Sequence, residues 1–222
     1  MRILIDAKEL LDNPDRCTLL DLRGKNEYDT AHISGAVSLP AGNLPFKAGV
    51  GLITETDWAA LLGGCGIGSR DAKIVAYDDG TTCRGVARFW HVAKHYGHGD
   101  VFILNGGFPA ASGVLPLSHL AEATYVTPAV YTTKVTPGYF INLDDILANH
   151  GKFKLLDTRA PEEYDGSNRY GNPRGGHIHG ATLAVMSNFF SDELGQSFAN
   201  PTKLAQTMNN LGIRKSDFIV AY

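Results

Sequence analysis

The chain has 222 residues, enough for two domains of roughly a hundred each. Hydrophobic residues make up 44% of it and charged residues 19%, which excludes a disordered, collagen-like or disulfide-scaffold protein. Twenty Lys and Arg against 23 Asp and Glu give a net charge of −3, and neither half carries the basic footprint of a nucleic-acid binder. No apolar run approaches the roughly 18 residues of a membrane span, and the N-terminus turns acidic by Asp6 without a signal-peptide core. Cys17, Cys65 and Cys83 are odd in number and form no C-x-x-C pair, so a reducing cytoplasm is the expected location.

In chain order, the pattern predicts a helix over 7–12, strands over 18–22 and 36–39, and a helix over 55–63 stopped by the glycines of 63–68. A strand over 73–77, a helix over 84–96 and a strand over 101–104 follow. His91 and His95 fall one helical turn apart, but no Glu follows His91 as a zinc motif requires, so packing or surface roles are expected. From 108 to 138, prolines at 109, 116, 128 and 137 interrupt any period, which reads as an extended interdomain linker. Short Leu, Ile and Val runs alternating with helices argue an α/β fold with buried parallel strands. In such sheets ligands sit beyond the carboxyl ends of the strands, so the loop after Ile74-Val75-Ala76-Tyr77 is the first place to look for chemistry.

The sequence then repeats. Cys17–Arg23 (CTLLDLR) returns as Phe153–Arg159 (FKLLDTR), Ile5 as Ile141, Leu10 as Ile146, and Glu27-Tyr28-Asp29 as Glu163-Tyr164-Asp165. After an insertion between Asp165 and His177, His32-Ile33-Ser34-Gly35-Ala36 returns as His177-Ile178-His179-Gly180-Ala181, and Ile74-Val75-Ala76-Tyr77 as Ile219-Val220-Ala221-Tyr222. A register kept over so many anchors indicates tandem duplication. Copy one spans 1–107 and copy two 139–222, the second expected to stop before its loop, last helix and last strand.

LLDLR with EYDTAHISGAVSLP, then IVAYDDG with ARFW and FILNGGFPA, resembles the rhodanese family, and the tandem arrangement is similar to thiosulfate and 3-mercaptopyruvate sulfurtransferases. The resemblance implies two rhodanese-like α/β domains, each a small, mainly parallel sheet flanked by helices. It implies a silent first domain and, in the second, a nucleophilic cysteine on the loop after the fourth strand. In copy one that position is Asp78, which carries no sulfur. In copy two it falls directly after Tyr222, so the chain as given is expected to be inactive.

The implied activity moves a sulfane sulfur from a small anionic donor, thiosulfate or mercaptopyruvate, to a thiol or cyanide acceptor through a cysteine persulfide. No cofactor, metal, nucleic acid or membrane partner is implied. Arg174, within the insertion, resembles the arginine that binds the anionic end of the substrate in mercaptopyruvate-type members; a solvated loop arginine is the alternative. Asp165 departs from the family, which often has Arg there, and Arg169 is a candidate substitute. The matches to Asp21 and His32 are assigned in such members to a proton relay in the cleft, while a turn histidine bonded to backbone is the plainer reading of His32. Asp157, Arg159 and His177 recur in both copies with Asp21, Arg23 and His32, which argues a structural motif. A non-catalytic rhodanese interaction or sensor protein is the alternative function, and a phosphatase on the same fold is a weaker one.

Overall fold

A computed structural model describes residues 2–13, 17–40, 52–81, 83–119, 124–149, 151–191 and 197–222. The chain divides into two compact units, Met1–Phe140 and Ile141–Tyr222.

In the first unit, β1 (Leu4–Ile5), α1 (Ala7–Asp12), β2 (Thr18–Asp21), α2 (Lys25–Thr30), β3 (His32–Ile33) and β4 (Val37–Ser38) come first. Then follow α3 (Glu55–Gly64), β5 (Ile74–Tyr77), α4 (Arg84–His95), β6 (Val101–Leu104), α5 (Gly107–Ser112) and β7 (Leu117–Ser118). The main sheet has the order β1-β6-β5-β2-β4, with every neighbouring pair parallel. Its central strand β5 is buried at all four residues, as a parallel strand covered on both faces must be. On one face the Trp58 ring stacks on Tyr96 and meets Phe89 at a tilt, with Trp58 and Phe89 fully buried. On the other, Ile5, Leu10, Leu104, Ala111 and Leu115 form a continuous apolar cluster.

The sequence expectations for α1, β2, α3, β5, α4 and β6 match the observed elements to within a residue or two. Helix α3 begins where the Thr54 side chain accepts from the Asp57 amide at 3.1 Å, and it ends before Gly66, whose φ is 77°. The pairing of β3 with β7 is antiparallel and was not expected: two-residue strands far apart in sequence carry no periodic signal.

The described residues of the stretch from 108 to 138, expected as an extended interdomain linker, belong to the first unit. Its start forms α5 and β7, and residues 129–136 run along α3 and α4. The Ala129 amide donates to the Gly63 carbonyl at 2.9 Å, and the Lys134 and Thr136 amides donate to Tyr96 and His95 carbonyls at 3.0 and 2.7 Å. Tyr131 is buried. His91 and His95 serve here as packing groups. The His91 Nε2–H donates to the Tyr139 carbonyl, and both rings meet Phe140 edge-on.

His98 anchors the same stretch. It is 1% exposed, and its Nε2 lies 2.7 Å from the Ala72 carbonyl, which can only accept. The proton is therefore on Nε2, and Nδ1 accepts from the Tyr131 hydroxyl at 3.0 Å. Burial holds the imidazole below its ordinary value of 6.5. The unfolded chain then binds the proton more readily, so this part of the stability is present above that value and declines as pH falls through it. Replacing Tyr131 with Phe leaves Nδ1 buried without a donor and is expected to cost about 1–3 kcal/mol. Urea titration checks this, and an unchanged midpoint would show that the hydroxyl contributes nothing.

The second unit contains α6 (Leu143–Ala148), β8 (Lys154–Asp157), α7 (Pro161–Tyr164), β9 (Thr182–Leu183), a 3-10 turn (Met186–Phe189), α8 (Pro201–Asn210) and β10 (Ile219–Ala221). Its sheet order is β10-β8-β9, all parallel. The core is two small clusters, around Leu155, Ala181 and Val220 and around Leu156, Ala184 and Ile213. No helix among the described residues is long and apolar enough to cross a membrane.

Candidate active site

The carboxyl ends of β2 and β5 place Asp21 and Tyr77 side by side, a register fixed by their backbone pairing. Asp21 is fully buried, and its two oxygens accept from Arg23 Nε and Nη2, the latter at 2.6 Å. Arg23 Nη2 also donates to the Ala31 carbonyl at 2.7 Å, and the guanidinium lies 3.7 Å from the Phe108 ring centroid. The Tyr77 hydroxyl accepts from the Ile33 amide at 3.2 Å, while burial beside Asp21 pushes its own ionisation far up.

His32 is also fully buried. Its ring stacks on Tyr28 at 3.9 Å, and Nδ1–H donates to the Tyr28 carbonyl at 2.9 Å. The resemblance offers Asp21 and His32 as a proton relay in a cleft, beside the plainer reading of a structural aspartate and a backbone-bonded turn histidine. Neither residue has solvent exposure, Asp21 is committed to Arg23, and His32 to the turn that follows α2. The geometry supports a structural role for both.

Asp78 follows Tyr77 directly. Its Oδ1 accepts from the Gly80 amide at 3.0 Å and its Oδ2 from the Val86 amide, in the first turn of α4, at 3.4 Å. Burial pushes its carboxyl above the ordinary value, with the two amides working against that. The carboxylate thus fills the loop's anion cradle, bonded by the loop's own N–H groups. Gly107 makes the loop possible from behind. Its φ is 57°, and a Cβ there would lie 2.7 Å from both the Asp78 carbonyl oxygen and the Gly80 nitrogen. A cleft of about 280 Å³ opens beside Asp78, bounded also by Arg23, Glu27 and Asp79. Cys83 is buried at the start of α4 and does not line that cleft.

The second unit reproduces these bonds. Arg159 Nε and Nη2 donate to the two oxygens of Asp157 at 2.9 and 2.6 Å, and Nη2 donates to the Gly176 carbonyl at 2.9 Å. His177 stacks on Tyr164 at 3.7 Å and its Nδ1–H donates to the Tyr164 carbonyl at 2.8 Å. The Tyr222 hydroxyl accepts from the Ile178 amide at 2.9 Å, as Tyr77 does from Ile33. Burial works to raise the Asp157 carboxyl, but the bonds from Arg159 and Tyr222 outweigh it and hold the group below its ordinary value. Asp157, Arg159 and His177 are thus where the repeat places them, in a bonded frame.

Arg169 and Arg174 lie on the insertion, a loop pinched at its neck where Gly166 meets Gly175 and Gly176 backbone to backbone. Both side chains are exposed, and neither guanidinium forms a hydrogen bond or ion pair among the described residues. Asp165 accepts from the Ser167 amide at 2.8 Å, which holds its carboxyl low and makes it a cap of the loop. One contact escaped the sequence reading. The Thr158 hydroxyl donates to the main-chain oxygen of Tyr222 at 2.8 Å. Its signal was present as the Leu22-to-Thr158 difference between the LLDLR and LLDTR copies.

Residues 6–113 match the rhodanese-like domain family. The chain is 30% identical over 172 residues to a thiosulfate sulfurtransferase of Corynebacterium glutamicum, an alignment covering 69% of this chain and 54% of that protein. It is 28% identical over 180 residues to a thiosulfate sulfurtransferase of Bos taurus, covering 76% and 59% respectively. The chain thus spans little more than half the length of these two relatives. SseA of Escherichia coli, whose structure is described as the rhodanese fold of 3-mercaptopyruvate sulfotransferases, superposes with a TM-score of 0.84 at 19% identity, covering 100% of this chain and 88% of that one. Fold, repeated frame and relatives agree: residues 6–113 form a domain of the rhodanese-like family, and the chain is similar to thiosulfate sulfurtransferases over 172 to 180 residues.

Proposed function

We propose that the protein transfers a sulfane sulfur from thiosulfate or 3-mercaptopyruvate to a thiol or cyanide acceptor, through a cysteine persulfide whose nucleophile stands directly after Tyr222. The observation that carries this is the shared register of two strand ends. The Thr158 amide donates to the Tyr222 main-chain oxygen at 3.0 Å, as the Leu22 amide does to Tyr77 at 2.9 Å, which supports reading the position after Tyr222 as the counterpart of Asp78. A thiolate there attacks the outer sulfur of thiosulfate; the sulfur–sulfur bond of the donor breaks, sulfite leaves with the electron pair, and the enzyme holds a persulfide anion. Cyanide or a thiolate then takes the outer sulfur and restores the thiolate. Arg174 and Arg169, charged and without an ion pair among the described residues, are the groups proposed to receive the donor's anionic end. Asp78 carries no sulfur, so the first domain is silent in this reading.

Thiocyanate formation from thiosulfate and cyanide tests the proposal. The full-length protein is expected to be active, and residues 1–222 alone inactive. Activity in the shorter chain, or a residue other than Cys after Tyr222, would overturn it; the second result would leave a non-catalytic rhodanese protein. In the active protein, Arg174→Ala is expected to raise KM for the anionic donor about tenfold or more, the loss of one charge-assisted contact.

A further inference from the structure

A cleft of about 400 Å³ opens in the second unit between the 3-10 turn (Met186–Phe189) and α8, lined by Ser187, Asn188, Lys203, Thr207, Asn210 and Leu211. None of these residues belongs to the Asp157 frame or to the insertion that carries Arg169 and Arg174. Phe189, Met208 and Leu211 pack on the buried Leu156, Ala184 and Ile213, so both walls of the cleft rest on the core. The Lys203 ammonium donates one hydrogen bond, to the Phe190 carbonyl at 2.6 Å, and pairs with no carboxylate among the described residues. Two of its three protons are left for another acceptor. The Thr207 hydroxyl lies 3.5 Å from the Asn188 carbonyl, the outer limit of a hydrogen bond. The side chains of Ser187, Asn188 and Asn210 make no hydrogen bond among the described residues. Every polar residue lining the cleft thus carries a side-chain donor, and none carries a carboxylate.

The repeat supplies a comparison. Helices α3 and α8 are both ten residues long, and their ends match. Thr54 and Asn200 cap them by accepting from the Asp57 and Lys203 amides at 3.1 and 2.9 Å, and Gly66 and Gly212 follow them at φ 77° and 70°. Aligned end to end, Lys203 stands where the first copy has Asp57, Thr207 where it has Leu61, and Asn210 where it has Gly64. Positions turned to the core keep their character, Leu62 as Met208 and Ile67 as Ile213. The fold therefore asks for none of the three polar side chains, since the first copy forms the same helix without them. From this we propose that the cleft binds a small organic molecule with one anionic end, a carboxylate or a phosphate monoester, held at Lys203 while Ser187, Asn188, Thr207 and Asn210 hydrogen-bond its polar groups. An ammonium is a point charge that accepts either anion. The volume is that of a small-molecule site and exceeds what an inorganic ion fills.

Proton–nitrogen NMR titration of the protein with glycerol phosphate, glycerate and uncharged glycerol tests the site and tells the two anions apart. Saturable shifts of the Ser187, Asn188, Thr207, Asn210 and Leu211 amides are expected with at least one of the two anions, and none with glycerol. Lys203→Met is expected to weaken that binding about tenfold or more, the loss of one charge-assisted contact. Asn210→Ala removes a side chain that bonds nothing in the chain, so it serves where loss of the Phe190 bond disturbs the fold. It is expected to weaken binding about threefold at an unchanged melting temperature. No saturation with either anion, or unchanged binding in both variants, would overturn the inference. So would binding abolished by Arg174→Ala, which would place the anion on the insertion. Because the readout involves no sulfur transfer, the site and the function proposed above stand or fall separately.

Discussion

Arg23→Met is expected to destabilise the first domain by about 3–5 kcal/mol, the usual cost of leaving one member of a buried ion pair without its partner. Asp21 is fully buried and Arg23 nearly so, with side-chain exposures of 0% and 6%. Without the guanidinium, the Asp21 carboxylate keeps only the Arg23 amide at 2.9 Å among the described residues, too few donors for a charge shielded from water. The Ala31 carbonyl loses its donor as well. Both tryptophans, Trp58 and Trp90, lie in the first domain, so their fluorescence during urea titration reports on that domain alone. A shift below 1 kcal/mol would show that the pair is not held in the low-dielectric setting described.

The second copy supplies the internal control. Arg159 makes the same bonds to Asp157, but its side chain is 32% exposed. Water screens the pair and can solvate what remains after Arg159→Met, so the loss there is expected to be smaller than for Arg23→Met. The Asp157 carboxyl sits below its ordinary value of 3.8 in the folded state. The unfolded chain therefore binds the proton first as pH falls, and the stabilisation, complete above that value, is lost as pH drops through the lowered one. Acid titration of Asp157→Asn is expected to show a flatter loss in that range than the parent chain.

The sequence was most legible where a physical pattern extended over many residues. The buried runs Thr18–Asp21, Ile74–Tyr77 and Val101–Leu104 declared the parallel sheet, and the repeated LLD-x-R, EYD and HI-x-GA segments declared the frame that the hydrogen bonds then displayed twice. Short or polar elements were not legible. Helix α2, Lys25–Thr30, has one buried residue, Tyr28, and so no apolar period to detect. The segment from 108 to 138 reads as an interdomain linker because prolines break periodicity, yet residues 129, 134 and 136 make backbone bonds to Gly63, Tyr96 and His95, to which side-chain patterns are blind. In the site, residue identity revealed which positions recur, but not their exposure. The matched pair His32 and His177 differ: the first is fully buried and the second exposed. The sequence marks Asp78 as lacking sulfur, but not which amides bond its carboxylate, because backbone N–H groups gathered by a loop leave no trace in side-chain sequence.

Gly107→Ala is expected to cost about 2–4 kcal/mol, although it adds one methyl group. Two separate effects contribute. A φ of 57° lies in the left-handed region, which costs a residue with a Cβ about 1–2 kcal/mol. The new Cβ would also stand 2.7 Å from the Asp78 carbonyl oxygen, 2.7 Å from the Gly80 nitrogen and 2.9 Å from the Gly80 Cα. All three are backbone atoms of the loop that bonds the Asp78 carboxylate, so no side chain can rotate away to relieve the overlap. The loop must shift, and the Phe108 amide bond to the Asp78 carbonyl at 2.8 Å shifts with it. Gly113→Ala, a few residues on, is the matched comparison. Gly113 has φ −91°, and a Cβ there meets nothing within 4 Å, so the same methyl is expected to be neutral or slightly stabilising. Tryptophan-monitored urea midpoints of the two variants measure the difference directly. Equal midpoints would mean that the loop is not packed against α5, and that Asp78 is not held in place by the backbone behind it.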